Sequence, residues 1–271
     1  SVAMLEAVLE RAGYRTGCYT SPHLVHYRER IRLQGVEVDD RDIVDAFNAI
    51  NAARGDISLS YFEWGTLAGL WLFKRAVVDV AILEVGLGGR LDAVNIIDAS
   101  VALITSIGID HTEWLGDSRA AICREKAGVA RAGRPLVCGE RDLPAECANY
   151  IRDKGAQLYL RDEQFKVSVE GALWSWRSEN KKYTLPFPAL TGQHEIDNAA
   201  GVIMALRISG LEGISESVIS SALREVTLNG RFERINGSFE VLLDVAHNAD
   251  GSQRLAQTLA DCPVAGRSWC L

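Results

Sequence analysis

The run Val77-Val78-Asp79-Val80-Ala81-Ile82-Leu83 constrains the fold more than any other segment of this chain. A nearly continuous apolar strand needs cover on both faces, which predicts a place in the centre of a doubly wound, mostly parallel sheet. The run ends on Glu84 and is followed by Gly86, Gly88 and Gly89, three glycines within four residues. Ligands of open α/β sheets bind beyond the carboxyl ends of the strands, so the Glu84 carboxylate is placed at a mouth rather than in the core. Glycines there let backbone approach a ligand closely or take positive φ. Arg90 and Asp92 add charges of both signs to the same turn. An ordinary strand-to-helix turn with a solvated glutamate is the competing reading.

Helical periodicity alternates with apolar runs on both sides of this strand, which predicts βαβ units. Helices are expected over 2–12, 43–53 (capped by Asp39 or Asp40), 61–75, 119–130 and 143–154. Strands are expected at 16–20, 100–106 and 135–138. From residue 157 the runs become short and alternate with polar residues: Gln157 to Leu160, Phe165 to Val169, Leu173 to Trp176 and Tyr183 to Phe187. They predict an antiparallel patch appended to the sheet. Helices return at 196–208 and 215–226, and the strand Val241 to Val245 leads into a helix over 250–261. Both ends read as cut, because helical periodicity starts directly after Ser1 and residues 267–271 read as a strand just begun.

Composition narrows the function classes. With 48% apolar and 24% charged residues over 271 positions, a packed core is expected. A formal charge of -7 argues against a nucleic-acid binder, which needs a basic surface. No apolar run approaches the roughly 20 residues of a membrane span, and no charged-then-apolar leader is read at the start. The six cysteines form no CxxC pair, so reduced, mostly buried thiols are expected rather than a disulfide framework or a zinc site.

Four further clusters stand at strand ends or on helices. In Ser106-Ile107-Gly108-Ile109-Asp110-His111-Thr112 the histidine could ligate a metal or cap the following turn. Lys126, in Arg124-Glu125-Lys126-Ala127-Gly128, would ordinarily be a solvated helix lysine. Ser21, in Tyr19-Thr20-Ser21-Pro22-His23, could offer a hydroxyl to a cation or cap its turn. Asp244 and His247, after the strand at 241, could serve a nucleotide or cap the next helix. No Gly-x-x-x-x-Gly-Lys-Ser/Thr element occurs in the chain.

Taken in order, TSPHL (20–24), SYFEWGT (60–66), LEVGLGGRLDAVN (83–95), TSIGIDHTEWLG (105–116), REKAG (124–128), DNAA (197–200), GRFE (230–233) and LDVAHN (243–248) resemble the folylpolyglutamate synthase family, especially its bifunctional dihydrofolate synthase type. That family lies in the Mur-ligase superfamily. The resemblance implies an α/β fold with a Mur-ligase-type central ATPase domain over 1–235 and the start of a Rossmann-like C-terminal, glutamate-ligase domain over 236–271. It implies a ligase that activates a carboxylate with ATP as an acyl phosphate and couples it to L-glutamate in folate biosynthesis. Ser21, Glu84 and His111 would then bind magnesium, shared between two ions, with Glu84, His111 and a carbamylated Lys126 as catalytic residues. Asn198, Arg231 and Asp244 would contact ATP. Ser60, Tyr61, Phe62, Glu63, Leu91, Asp92 and Ala93 would hold dihydropteroate or a reduced folate. A cytoplasmic monomer without nucleic-acid or membrane partners is implied. Val94, Asn229 and Ala249 depart from the family pattern. The family's P-loop would fall just before Ser1, so these 271 residues are expected to be inactive by themselves. Rival readings are another ligase of the superfamily, for a muramyl peptide or cyanophycin, and a non-catalytic remnant.

Overall fold

The computed structural model describes every residue except 236, 238, 263–265 and 271. Helix α1 (Val2–Arg11) buries Met4, Val8 and Leu9 on one face, and β1 (Thr16–Tyr19) follows with all four residues buried. A hairpin of β2 (Ile31–Leu33) and β3 (Val36–Glu37) then adds antiparallel to β1, turning through positive φ at Gln34 and Gly35. Helices α2 (Asp40–Arg54) and α3 (Tyr61–Ala76) cover one side of this sheet. Asp39 occupies the N-cap position of α2, yet its side chain makes no capping bond.

The apolar run at 77–83 divides. Val77 closes α3 in the left-handed region (φ 51°), Asp79 bonds to Arg15 through backbone and side chain, and only Val80–Leu83 form strand β4. β4 pairs parallel with β1 and is the end strand of the order β3-β2-β1-β4 among the described residues, with Ala81 exposed. The central position expected from its hydrophobicity is therefore not observed.

A second sheet follows. β5 (Ala102–Ile104), the short α4 (Thr112–Leu115), α5 (Arg119–Lys126), β6 (Pro135–Cys138), α6 (Ala145–Asp153) and β7 (Gln157–Leu160) build a parallel order β5-β6-β7. β7 thus continues the parallel sheet instead of opening the antiparallel patch. A four-residue strand with mixed polarity fits either setting, and the pairing with β6 decides it. The antiparallel patch is β8 (Phe165–Glu170), β9 (Leu173–Ser178) and β10 (Lys181–Pro186), a separate sheet of order β10-β9-β8. Trp174 and Trp176 of β9 are fully buried, and the Trp176 indole donates to the Ala200 carbonyl at 3.1 Å.

That carbonyl belongs to α7 (Gln193–Ile208), apolar all round from Ala199 to Leu206 and the axis of the largest core, where it meets α1, β6 and the β8–β10 sheet. A helix with so little polar surface must be buried on most sides. Helix α8 (Glu216–Glu225) packs on α1. The chain closes with the hairpin β11 (Glu233–Ile235) and β12 (Val241–Leu243) and with α9 (Ala249–Ala260). Residues 267–270 form no strand, and Leu271 lies outside the described residues. Cys123 of α5 and Cys147 of α6 are joined as a disulfide with a Cα–Cα distance of 6.0 Å, contrary to the expectation of free thiols throughout. Cys18 and Cys138 are free and buried as expected. No described helix is long and apolar enough to cross a membrane.

Candidate active site

β1 and β4 run parallel in a register that sets Tyr19 against Leu83, so Ser21 and Glu84 emerge side by side at one rim. The Ser21 amide donates to Glu84 Oε2 at 2.9 Å, and the Glu84 amide donates to the Tyr19 carbonyl at 2.9 Å. Burial pushes the Glu84 carboxyl above its ordinary value, against the Ser21 amide and the positive charges of Arg231 and Arg32. The start of α1 lies within electrostatic reach of Glu195, Glu84 and Arg231.

The glycine-rich turn is locked from two directions. Asp92 Oδ2 accepts from the Gly86 and Leu87 amides at 3.0 Å each, and Oδ1 accepts from Val94 N at 3.0 Å. Its carboxylate is thus committed to the turn, a duty that the substrate role assigned by resemblance does not include. From the other side α5 closes in. A Cβ on Gly128 would stand 2.3 Å from Arg90 Cα, and one on Gly89 would stand 2.8 Å from the Lys126 carbonyl. Arg90 Nε donates to Glu125 Oε1 at 3.0 Å, and the Arg90 amide donates to the Glu125 carbonyl at 2.9 Å. These two glycines are required by close backbone approach. The segments LEVGLGGRLD and REKAG therefore form one unit, which carries Lys126 at the last position of α5. Lys126 is half-buried rather than solvated, and burial lowers its ammonium below the ordinary value while the charge of Asp110 opposes the shift.

His111 lies at the end of the loop after β5. It takes the N-cap position of α4 at φ 50°, with no side-chain capping bond, so the capping alternative is not realised. Asp110 Oδ1 accepts from the His111 amide at 2.7 Å, and Asp110 Oδ2 accepts from Asn248 Nδ2 at 2.6 Å. The alternative cap for α9 falls to Asn248, whose Oδ1 accepts from Gly251 N at 2.8 Å. Asp244 instead ties the end of the β11–β12 hairpin, accepting from Phe232 N at 2.9 Å and Ala246 N at 2.8 Å. Asn198 bonds to Glu195 at 3.1 Å on α7, and Arg231 is exposed within electrostatic reach of Glu84.

The SYFE segment starts α3. Ser60 Oγ accepts from Glu63 N at 3.3 Å while Glu63 Oε2 accepts from Ser60 N at 2.6 Å, a capping box. These bonds hold the Glu63 carboxyl below its ordinary value. Phe62 covers Gly86 and meets Tyr19, while Tyr61 is largely exposed beside Tyr27. Leu91 is 80% exposed and Ala93 half-buried at the far side of the turn. Sequence reasoning missed Arg30, whose guanidinium stacks over Tyr27 and Tyr61 at 5.6 and 5.4 Å and donates to His23 Nδ1 at 2.8 Å. It also missed the buried Arg161, which pairs with Asp197 at 2.9 Å, one residue before Asn198. Neither arginine sits in a motif, and Asp197, the nearer of the two acidic partners of Arg161, is distant in sequence.

Among the described residues no group of three histidine, cysteine, aspartate or glutamate side chains stands ready to hold a metal ion. Ser21 and Glu84 are together; His111 has Asp110, 3.8 Å away, as its acidic neighbour. The Ser21 hydroxyl and the Glu84 carboxylate fit magnesium, which takes oxygen donors and keeps several waters and substrate phosphates rather than a closed protein cage, whereas the His111 nitrogen is a less usual ligand for it.

Parallel strand pairs, with Ser21 and Glu84 at the carboxyl ends of β1 and β4 and His111 in the loop after β5, make this an α/β protein of the Mur-ligase type. No family model matches the chain. It is 46% identical over 264 residues to the dihydrofolate synthase/folylpolyglutamate synthase of Escherichia coli K12, covering 97% of this chain and 61% of that protein. The solved structure of Escherichia coli FolC in complex with DHPP and ADP superposes with a TM-score of 0.93 at 46% identity, over 98% of this chain and 63% of that one. A bifunctional folylpolyglutamate synthase/dihydrofolate synthase with Mn, AMPPNP and L-glutamate bound gives a TM-score of 0.89 at 48% identity, over 96% and 62%. The chain belongs to the dihydrofolate synthase/folylpolyglutamate synthase family and spans about three fifths of the length of the curated relatives it matches.

Proposed function

We propose that the protein is an ATP-dependent amide ligase that joins L-glutamate to dihydropteroate and to folates. The observation that carries this reading is the Glu84 carboxylate, held against Ser21 at a shared strand end, faced by Arg231 and the start of α1, and backed by the unit that carries Lys126. Support comes from the family membership and from relatives solved with ADP, DHPP, AMPPNP, Mn and L-glutamate.

The chemistry has two steps. A substrate carboxylate oxygen attacks the γ-phosphorus of ATP, the bond to the bridging oxygen breaks, and ADP leaves. The glutamate amine then attacks the acyl carbon, the bond to phosphate breaks, and the amine gives up a proton. Both steps need positive charge around spreading negative charge. Backbone amides at the start of α1 and the Arg231 guanidinium supply it from the chain itself. Two magnesium ions, held by Ser21, Glu84 and His111, would add charge neutralisation and alignment of the phosphates. Lys126, its ammonium lowered by burial, offers an enlarged neutral fraction that CO2 converts to a carbamate with release of a proton. That turns a cation into an anion within the metal site. Asn198, Arg231 and Asp244 hold the nucleotide. Phe62, Tyr61, Leu91 and Ala93 form the apolar walls for the pterin-aminobenzoate part, on a frame set by Ser60, Glu63 and Asp92.

Residues 1–235 form the ATP-binding domain and 236–271 the start of the glutamate-ligase domain in this reading. The setting is cytoplasmic and monomeric, without nucleic-acid or membrane partners. The test is ADP formation by the full-length gene product with dihydropteroate, ATP and L-glutamate, compared with a UDP-muramyl substrate. Turnover that depends on dihydropteroate is expected. Turnover with the muramyl substrate instead would overturn the assignment.

A further inference from the structure

Asp110 and Asn248 lie 138 positions apart, yet their side chains meet at 2.6 Å. Each end of this bond is anchored. Asn248 Oδ1 is fixed by the Gly251 amide in the first turn of α9, and Asp110 Oδ1 is fixed by the His111 amide. His111 holds a left-handed backbone (φ 50°, ψ 42°), an uncommon conformation for a residue with a side chain. Its ring is 53% exposed, so little packing orients it. The backbone, and hence Asp110, must do so.

We infer that Asp110 and Asn248 are positioning residues, which couple the docking of α9 to the placement of His111. An Asn248 donor that leaves Asp110 frees the carboxylate to rotate, and the His111 amide loses its acceptor. When α9 sits against the β5 rim, the chain from the Gly251 amide through Asn248 and Asp110 to His111 is complete. The end of the hairpin that carries Asp244 then closes on the site at the same moment that His111 is set. This inference rests on the ligase reading given above.

Exchanging the two groups provides the test. In Asp110→Asn, the new Oδ1 still accepts from His111 N, but two amide donors face each other. In Asn248→Asp, the new carboxylate still caps α9, but two carboxylates face each other. The double exchange restores one donor facing one acceptor and keeps both backbone bonds. Expected in the full-length gene product are a loss of about tenfold or more in kcat and in Mn2+ affinity for each single variant, the scale for partners that orient a metal ligand. The KM for dihydropteroate should change little, and the double exchange should recover most of both losses. Mn2+ affinity is read from the electron paramagnetic resonance of the free ion, independently of turnover. Asn248→Ser, which keeps a helix cap but is too short to reach Asp110, should reproduce the single-variant loss while unfolding at the parent's temperature. A double exchange no better than the worse single variant, or an Asn248→Ser enzyme equal to the parent, overturns the coupling. A parent that shows no dihydropteroate-dependent turnover but whose Mn2+ affinities follow the exchange pattern sinks the ligase reading and leaves the coupling standing.

Discussion

At the β1/β4 rim, the site is fixed by backbone. Glu84 is gripped by the Ser21 amide, Asp92 gathers three amides, and Gly89 and Gly128 bring two chain segments into van der Waals contact. At the β5 rim the link to α9 runs from side chain to side chain, Asn248 to Asp110, half-exposed and across 138 positions. Backbone interlocks leave no alternative arrangement of similar energy, whereas a bond between two side chains can be broken and remade by a rotamer change. The first rim is built to be preorganised, and the second to respond to what docks on it.

Gly128→Ala attacks the first rim where it is tightest. The added carbon would lie 2.3 Å from Arg90 Cα, forcing α5 away from the glycine-rich turn at a cost of about 3 kcal/mol. Calorimetry should show the unfolding temperature falling by roughly 6–10 °C, with turnover lost as Lys126 moves. An unfolding temperature within a degree or two of the parent would show that the rim is softer than described.

Glu84→Gln should separate function from stability. The folded Glu84 carboxyl is raised above its ordinary value by burial, so the folded state holds its proton more tightly than the unfolded chain. Its favourable contribution is complete below the ordinary glutamate value of about 4.3 and is lost as pH rises through the raised value. At neutral pH the ionised group therefore costs stability, and glutamine removes that cost. Thermal unfolding from pH 4 to pH 8 should show the variant overtaking the parent as pH rises, while turnover disappears. A variant less stable than the parent at pH 7 would contradict the sign.

Ser60→Ala makes the mildest change. It removes one half of the capping box at an exposed helix start, so the unfolding temperature should drop by roughly 2–4 °C. The KM for dihydropteroate should rise modestly as the first turn of α3 frays, with kcat little changed. A large fall in kcat would give Ser60 a direct role at the reacting centre.

The sequence carried much of this, for physical reasons. Strands β1, β5 and β6 and helices α1, α3 and α7 are written in apolar runs and periodicity that tertiary contacts merely ratify. The β2–β3 hairpin alternates apolar and polar residues around Gln34-Gly35, but strands of three and two residues are too short for periodicity to stand out; Arg32 is held by an ion pair with Glu6 that no local pattern announces. β4 was read as central because hydrophobicity records burial by helices as readily as by neighbouring strands. At the candidate site, strand ends single out Glu84 and Ser21, and the family's motifs alone single out Lys126. The anchoring of Asp92, the reach of Asn248 to Asp110 and the Cys123–Cys147 pairing depend on how distant segments fold together, and spacing is silent on that.

The capping box on α3 also bears on how this pocket could be altered. Ser60 and Glu63 alternate with Tyr61 and Phe62, but the outer pair serves the helix and the inner pair faces outward or across the turn. On the ligase reading, laboratory selection for an unusual pterin would gain from randomising Tyr61 and Phe62 while leaving their neighbours untouched. Libraries that vary all four positions together would lose the capping box in most members, and with it the fixed first turn of α3 on which those two rings stand.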